Sequence, residues 1–509
     1  MNSKVSRTKM SKRNVTASIV ARLVGIITSF AGRYVFVKVL SAEYLGIGGF
    51  FGNIFSVLSL CDLGFGAAIS QSLYKPLAEG DEYRVSAIVR YFAKIYRRAA
   101  FIMLFLGISA LPILPRIVKT QIDMSIISAS FLLLVIHNFF SYILAPKCAL
   151  VVCDQRMYVT AIVRSVFGVA ALVIQSVLLV VTRNYIFYLA SRIAVLLIED
   201  LIINGYADKK YPFLAFKINV DKKYKKRLYE NVKALMFHKI GGVLSRSTDS
   251  LLLTYFVGLS GMGKYSNYAL VIGSIGAFFD VAINSVSASV GNLGAGDRGE
   301  KSERIMRTMY FVNFWLITVG TCIIVCVLNP FIELWLGKDM LFTNTEMLVI
   351  VASFYFSCIR DPVQIFVSSY GLFRQSRFIP ITRALCNLVL SVVFVQKIGV
   401  AGVFLGTTLS TVLIPLFGET AVLYKHGFSL KARDFYREMM SYIGISVLCT
   451  VICFVLTYNV KISLLGIVSR GISAFCASNA LLLLLCSGNG YFAEMSKLLS
   501  KRITNPFRS

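Results

Sequence analysis

Hydrophobic residues in this chain occur in runs of about 20 residues or more, separated by short polar segments. A helix needs about 20 mainly apolar residues to cross a bilayer, and the runs predict about fourteen such helices. They lie at 15–37, 47–73, 95–115, 124–145, 157–181, 184–205, 234–257, 265–290, 309–329, 346–371, 378–397, 401–423, 440–458 and 463–486. The pattern predicts an all-α polytopic membrane protein.

Basic residues alternate between the polar segments in a way that orients the chain. When both termini and every second segment are placed on one side, the opposite side receives few lysines and arginines. These are Lys38, Arg116, Lys119, Arg183, Lys264, Lys338, Lys397 and Lys461. Positively charged loops stay in the cytoplasm, so we expect cytoplasmic termini. The first run is longer than the apolar part of a signal peptide, so we expect it to remain as a span.

Composition agrees with membrane insertion and narrows the function. The chain of 509 residues is 57% hydrophobic and 15% charged, whereas soluble proteins average about 25% charged residues. The net charge of +28 is spread over the loops, so it follows from topology and predicts no nucleic-acid partner. Cysteines occur singly, without CxxC pairs or histidine clusters, so we expect no disulfide framework and no metal site.

Ionisable residues that remain inside the apolar runs are the candidates for function, because such residues commonly face a bundle interior or a wet cavity. The basic ones are Arg22, Arg33, Arg164, Arg192, Lys239, Arg246, Arg360, Arg383 and Arg470. The acidic ones are Asp62, Glu199, Asp200, Asp249, Asp280 and Asp361.

Arg22 and Arg33 are separated by about three helical turns plus 20°, or roughly 16 Å along the axis. They therefore share one stripe of the first helix, which also holds Ser18, Gly25 and Ser29. The seventh run has a similar stripe with Lys239 and Arg246. Arg22 and Arg246 are expected to face a lumen. Arg33 and Lys239 could instead extend to the membrane surface.

The acidic residues leave further alternatives open. Asp249 follows Arg246 by three residues and could pair with it, and Arg360 could pair with Asp361. Asp62 and Asp280 could either pair with arginines or take up a coupling ion. We expect ion coupling or charge pairing at Asp62, Asp249 and Asp280, with a proton or sodium gradient as the driving force and no cofactor.

A weak repeat suggests the domain organisation. The turn after the first run contains Leu40-Ser41-Ala42, and the turn after the seventh contains Leu259-Ser260-Gly261. The spacing predicts two parallel six-span halves, as transporters often have. We expect an N-terminal lobe at 1–206, a basic linker at 207–233, a C-terminal lobe at 234–425, and two further helices with a tail at 426–509.

The stretch VKVLSAEYLGIGGFFGNIFSVLSLCDLGFGAAISQSLYKPLAEGD (37–81) resembles the first spans and first cytoplasmic loop of Wzx-type polysaccharide flippases. These form a branch of the multidrug/oligosaccharidyl-lipid/polysaccharide (MOP) exporter superfamily. The later stretch GMGKYSNYALVIGSIGAFFD (261–280) is similar to that family's turn between the seventh and eighth spans.

The resemblance implies two six-helix lobes with two additional C-terminal helices and a bacterial cytoplasmic membrane. It also implies alternating access that moves undecaprenyl-diphosphate-linked oligosaccharide to the outer leaflet for O-antigen, capsule or exopolysaccharide synthesis. A polysaccharide polymerase and a chain-length regulator would be its partners. Arginine binds phosphate oxygens in a planar fork, so we expect the diphosphate in a cationic central cavity. The expected binding residues are Arg22, Arg33, Arg164, Arg192, Arg246 and Arg360.

Three other functions compete with this interpretation. A lipid II flippase of peptidoglycan synthesis would share the fourteen spans and the cationic cavity. A cation-coupled drug antiporter would need acidic residues where the first run has Arg22 and Arg33. A membrane-embedded glycosyltransferase would need a catalytic acid or a sizeable extramembrane loop, and the predicted outer loops are short. We therefore expect a flippase and not an enzyme.

Overall fold

A computed structural model describes residues 7–58, 65–118, 120–216, 248–284 and 299–492, and these are helical with short connections. They form two compact units, residues 1–263 and 264–509. The prediction of an all-α polytopic membrane protein is confirmed. In the described residues, nine helices are long and apolar enough to cross a membrane. The predicted spans at 47–73, 234–257 and 265–290 lie partly outside the described residues.

The first unit consists of helices that largely follow the predicted runs. They are α1 (Arg7–Val39), α2 (Ala42–Leu58), α3 (Phe65–Glu79), α4 (Glu82–Ala110), α5 (Met124–Cys153), α6 (Met157–Thr182), α7 (Tyr185–Lys210) and the start of α8 (Leu259–Asn284). Polar side chains cap several of them: Asp81, Asp123 and Asn184 each accept a hydrogen bond from a backbone N–H of the following turn. These N-caps fix the residue at which each helix begins.

Aromatic side chains form much of the first unit's core. Phe131 of α5 lies between Phe51 and Phe55 of α2, with ring centroids 5.1 and 5.4 Å away. On the other side of the unit, α1 packs along α6, and α5 packs along α4 and α7. The large rings bury much apolar area for few rotatable bonds, so they hold α2 and α5 at a fixed separation.

The first turn of α2 and the first turn of α8 touch through their backbones. Gly46 lies against the carbonyl of Leu259, and Gly263 lies against the carbonyl of Ala42, so a Cβ at either glycine would overlap the opposite helix. This reciprocal contact requires glycine for close approach. It joins the two turns that the sequence analysis matched as a repeat.

The second unit contains the following longer helices, besides a one-turn helix at Phe373–Ser376. They are the rest of α8, α9 (Glu300–Leu336), α10 (Asn344–Cys358), α11 (Asp361–Ser369), α12 (Ile379–Thr411), α13 (Phe417–Val422), α14 (Arg433–Thr457) and α15 (Leu464–Cys486). Single-turn π-helices flank α13 at Val412–Leu416 and Leu423–Phe428. Within α12, Ile398 and Gly399 depart from helical geometry. This break separates the runs predicted at 378–397 and 401–423.

Helix α9 is the central helix of the second unit. Tyr442 of α14 stacks on Phe314 of α9 with centroids 4.4 Å apart. Deeper along the same interface, Ser446 lies 2.6 Å from Thr318 and accepts a hydrogen bond from Tyr355 of α10 at 2.8 Å. The unit's interior is therefore closed by apolar rings and by hydroxyl groups that satisfy one another.

Candidate functional site

Helix α1 is fixed in register against α6 near its N-terminus. Asn14 donates a hydrogen bond to the carbonyl of Gln155 at 2.7 Å and accepts one from the backbone N–H of Tyr158 at 2.9 Å. The guanidinium of Arg13 lies 4.5 Å from the centroid of the Tyr158 ring, a distance typical of a cation–π contact. These contacts set the height of every α1 side chain relative to α6.

This register places Arg22 and Arg164 at similar levels along the axes of α1 and α6. Arg22 lies about 12 Å beyond Asn14 along α1, and Arg164 lies about 9 Å beyond Tyr158 along α6. Both side chains are exposed. Both arginines fall within predicted spans, where a cationic side chain is costly in lipid, so we expect water or an anion beside each.

A second basic group lies nearer the C-terminal end of α1. Arg33 is half-buried and close enough to Tyr188 and Arg192 of α7 for electrostatic interaction, and Arg192 interacts in the same way with His137 of α5. Phe36 holds α1 to α7 there, with its ring centroid 5.0 Å from that of Tyr188. We name Arg33, His137 and Arg192 the upper basic cluster.

The upper basic cluster has the chemistry of an anion site. Arg192 is exposed. Buried Nδ1 of His137 has no hydrogen-bond partner among the described residues. The positive side chains of Arg33 and Arg192, which come from two helices and lie close together, repel one another unless an anion or water separates them. Sequence reasoning missed His137, which lies beside Asn138 within an apolar run and gave no periodic signal.

Arg164 differs from the upper basic cluster because acids accompany it. Its Nε lies 3.2 Å from Oε1 of Glu199 on α7; the arginine side chain is 57% exposed and the glutamate 9%. Asp200 is also close enough to Arg164 to interact electrostatically and is hydrogen-bonded to Ser141. The charge of Arg164 is thereby balanced, although Arg164 remains a predicted binding residue. The adjacent acids Glu199 and Asp200 were visible in the sequence as an interruption of an apolar run.

Arg360 lies in the second unit, where the chain breaks between α10 and α11. Asn313 of α9 donates to the carbonyls of Cys358 at 3.0 Å and Ile359 at 3.4 Å, which lose helical partners because Pro362 follows. Nη2 of Arg360 lies 3.4 Å from Oε1 of Glu419 on α13, and both side chains are about 10% exposed or less. The ion pair is therefore formed with Glu419, a distant residue that the sequence analysis did not consider.

Comparisons with known proteins identify the fold. No family model and no curated protein sequence matches the chain. Among solved structures, a lipid II flippase MurJ in an inward closed conformation matches with a TM-score of 0.67, at 12% identity over 93% of this chain and 98% of that one. The chain has the fold of MOP-superfamily transporters.

Two further structures support this fold. An inward-facing multidrug resistance MATE family transporter of the MOP superfamily matches with a TM-score of 0.59, at 13% identity over 79% of this chain and 98% of that one. A MOP-superfamily transporter from Pyrococcus furiosus matches with a TM-score of 0.52, at 12% identity over 82% of this chain and 96% of that one. The similar structures are transporters and flippases, and the protein has their multi-pass helical architecture.

Within this transporter fold, the other predicted site residues are only partly described. Arg246 and Asp62 lie outside the described residues. Asp280 falls in α8, but its side chain is outside them, and Asp249 is 8% exposed. In the described part of the chain, no group of histidine, cysteine, aspartate or glutamate side chains has the arrangement of a metal site.

Proposed function

We propose that the protein is a flippase that moves polyprenyl-diphosphate-linked oligosaccharide from the cytoplasmic to the outer leaflet by alternating access. The observation that carries the proposal is the upper basic cluster with exposed Arg22 at a lower level of the same helix. Together they give the first unit basic groups at two depths, spaced about 16 Å apart along α1. A diphosphate could move from one to the other.

The chemistry of this substrate suits these residues. A diphosphate must leave water to cross the membrane, and guanidinium groups replace its hydration with charge-assisted hydrogen bonds. Arg33 and Arg192 are close enough together to contact one diphosphate jointly. The polyprenyl chain stays in the bilayer, so the protein has to accommodate the polar headgroup alone.

Lipid II translocation is the second candidate, because the lipid II flippase structure covers 93% of this chain and the MATE structure 79%. Its substrate also carries a polyprenyl diphosphate, so the same arginines would serve it. A drug antiporter is less well supported, since a cationic drug needs acids where α1 carries Arg22 and Arg33. For the Pyrococcus furiosus transporter, a reversed polarity of the binding pocket suggests a different function, which supports using polarity as a criterion.

The test is to delete the gene and to identify the lipid-linked intermediate that accumulates in the cells. Accumulated diphosphate-linked oligosaccharide, with surface glycan lost, supports the proposal; accumulated lipid II supports the second candidate. Complementation with Arg22→Ala or Arg192→Ala is expected to fail at normal membrane abundance. Arg116→Ala, an exposed arginine of the same unit, is the matched control and should restore export. Full export by both Arg22→Ala and Arg192→Ala would contradict the assigned binding residues.

For energy coupling, we propose a proton or sodium gradient acting through Asp62, Asp249 or Asp280. Asp249 is buried, where taking up a proton or a cation relieves the cost of a carboxylate. Transport in proteoliposomes with an imposed gradient of one ion at a time would identify the ion. Asp249→Asn should make transport insensitive to that gradient, and an unchanged gradient response would exclude Asp249.

A further inference from the structure

A pocket of about 350 Å³ lies in the second unit, where the C-terminal end of α9 meets the start of α10 and the turn between α14 and α15. Its lining combines apolar and charged side chains. Leu341, Phe454 and Ile462 are among the apolar ones, and Glu333 and Arg470 carry charge. The upper basic cluster belongs to the other unit, so this pocket is separate from the site described above.

Arg470 is the buried charge of this pocket. It is 7% exposed, and its Nη2 donates to the carbonyls of Tyr458 (3.2 Å) and Val460. Those carbonyls follow the end of α14, so the arginine caps that helix. Its buried Nε has no hydrogen-bond partner among the described residues. Carbonyl groups satisfy donors but do not neutralise the charge, and a buried cation without a counter-charge costs several kcal/mol.

Glu333 is the acid of the same pocket, but its ion pair is with Lys338. Nζ of Lys338 lies 3.8 Å from Oε1 of Glu333, and the lysine side chain is 84% exposed. The ion pair is therefore weak. Arg470 thus offers a donor and a positive charge to a ligand, and Glu333 offers acceptor oxygens. A molecule that carries both a phosphate and an ammonium group would match both charges of the lining.

The depth of the pocket suits a lipid. Arg470 lies about 9 Å along α15 from its first residue, and the turn beside it contains Lys461, which the charge distribution assigns to the outer face. Headgroup phosphates occupy this interfacial depth, and the apolar lining residues suit the first part of an acyl chain. We propose that this pocket binds the zwitterionic headgroup of an outer-leaflet phospholipid, with its phosphate at Arg470 and its amine at Glu333.

The test uses the purified full chain in detergent and titrates it with short-chain phosphatidylethanolamine by native mass spectrometry. Arg470→Lys keeps a donor for the capped carbonyls but loses Nε, and we expect about tenfold weaker binding. Arg470→Gln should abolish binding. Arg433→Gln, an exposed arginine at the start of α14, should bind as the unaltered protein does. Size-exclusion profiles check that each variant is folded, and unchanged binding in both Arg470 variants would overturn the proposal.

Three further titrations identify the ligand. Phosphatidylglycerol should bind more weakly than phosphatidylethanolamine, and Glu333→Gln, which leaves the cap intact, should remove that preference. Equal binding of both lipids to the unaltered protein would overturn the assignment of the amine to Glu333. Inorganic phosphate should not displace the lipid at equal concentration; displacement would show a soluble anion site and overturn the lipid assignment. None of these measurements depends on transport.

Discussion

Arginines that interrupt apolar helices have different surroundings in the two units. In the first unit, Arg22 and Arg192 are exposed, and neither forms an ion pair with a described residue. In the second unit, Arg360 is paired with Glu419 and buried, and Arg470 is bonded to carbonyls. Arg22 and Arg192 thus lack an ion pair among the described residues, whereas Arg360 and Arg470 make polar contacts within their own unit.

The helices that carry these arginines explain the difference. In α9, at the centre of the second unit, 78% of the most apolar 18-residue stretch is buried, against 6% in α1. A charge packed against the buried middle of α9, such as Arg360, needs a protein partner because water does not reach it. A charge on α1 can keep its hydration or exchange it for a ligand. We therefore expect exposure and pairing to separate binding arginines from structural ones better than position in an apolar run does.

The largest effect that would test this comparison is expected at Arg360. Arg360→Gln removes the ion-pair partner of the buried Glu419 carboxylate, which then keeps only its electrostatic interaction with Arg383, and breaking a buried ion pair costs about 3–5 kcal/mol. We expect low membrane abundance and a strongly lowered apparent melting temperature in detergent, measured by size exclusion after heating. The double variant Arg360→Met with Glu419→Leu should recover most of the lost stability, because it removes both charges. A single variant as stable as the unaltered protein would show that the pair is not structural.

The next effect is expected at Arg192, where function and not stability should change. Arg192→Gln removes one charge-assisted contact to a diphosphate, worth about 1.5–3 kcal/mol. We expect export of surface glycan to fall by roughly tenfold or more, with an unchanged apparent melting temperature. Arg192→Lys keeps the charge and should retain intermediate export. A loss of stability equal to that of Arg360→Gln would erase the distinction between the units.

The architecture of both units could be predicted from sequence because it depends on local patterns. Apolar runs long enough to span a bilayer predicted the helices, and the interruption between 397 and 401 predicted the break that the structure places at Ile398 and Gly399. The short helices were missed for the same reason. The junction of α10 and α11 lies inside one apolar run, where Pro362 ends the helix but hydropathy does not change.

The surroundings of the charges could not be predicted in the same way. Arg360 stands beside Asp361 in sequence, yet its ion pair is with Glu419, and only the packing of α13 against the helix junction brings the two together. Arg164 and Glu199 likewise come from different helices. Helical periodicity does show which face of one helix carries charge, as it did for Arg22 and Arg33. Helical periodicity gives no information on which other helix packs against that charged face.

A smaller effect is expected at Arg164, which combines features of both units. Its partner Glu199 is 9% exposed, but Arg164 itself is 57% exposed, so solvent screens much of the pair. We expect Arg164→Gln to lower stability by about 1 kcal/mol, well below the effect of Arg360→Gln measured in the same assay. A double-mutant cycle with Glu199→Gln measures the coupling directly. A coupling free energy as large as that between Arg360 and Glu419 would mean that the exposure of an arginine does not decide whether it is structural.

The smallest effect concerns two N-terminal helix caps, one charged and one neutral, that directly precede apolar helices. In the first unit, the carboxylate of Asp123 accepts a hydrogen bond from the backbone N–H of Ser125 at 3.0 Å, and this bond lowers the pKa of Asp123. In the second unit, the hydroxyl of Ser463 accepts one from Gly466 at 3.0 Å. Folding lowers the pKa of Asp123, so this carboxylate stabilises the folded state at a pH above its ordinary pKa of about 4. That stabilisation is lost as the pH falls below about 4.

The two caps should therefore respond differently to acid. Asp123→Ala is expected to lower the apparent melting temperature at pH 7, and its difference from the unaltered protein should shrink as the pH falls below about 4. Ser463→Ala should cost a similar amount at every pH, because a hydroxyl does not titrate in this range. Asp123→Asn keeps a capping oxygen without the charge, so the difference in apparent melting temperature between Asp123→Asn and Asp123→Ala should be the same at every pH. A pH dependence shared by the Asp123→Ala and Ser463→Ala differences would assign it to a global change and not to this carboxylate.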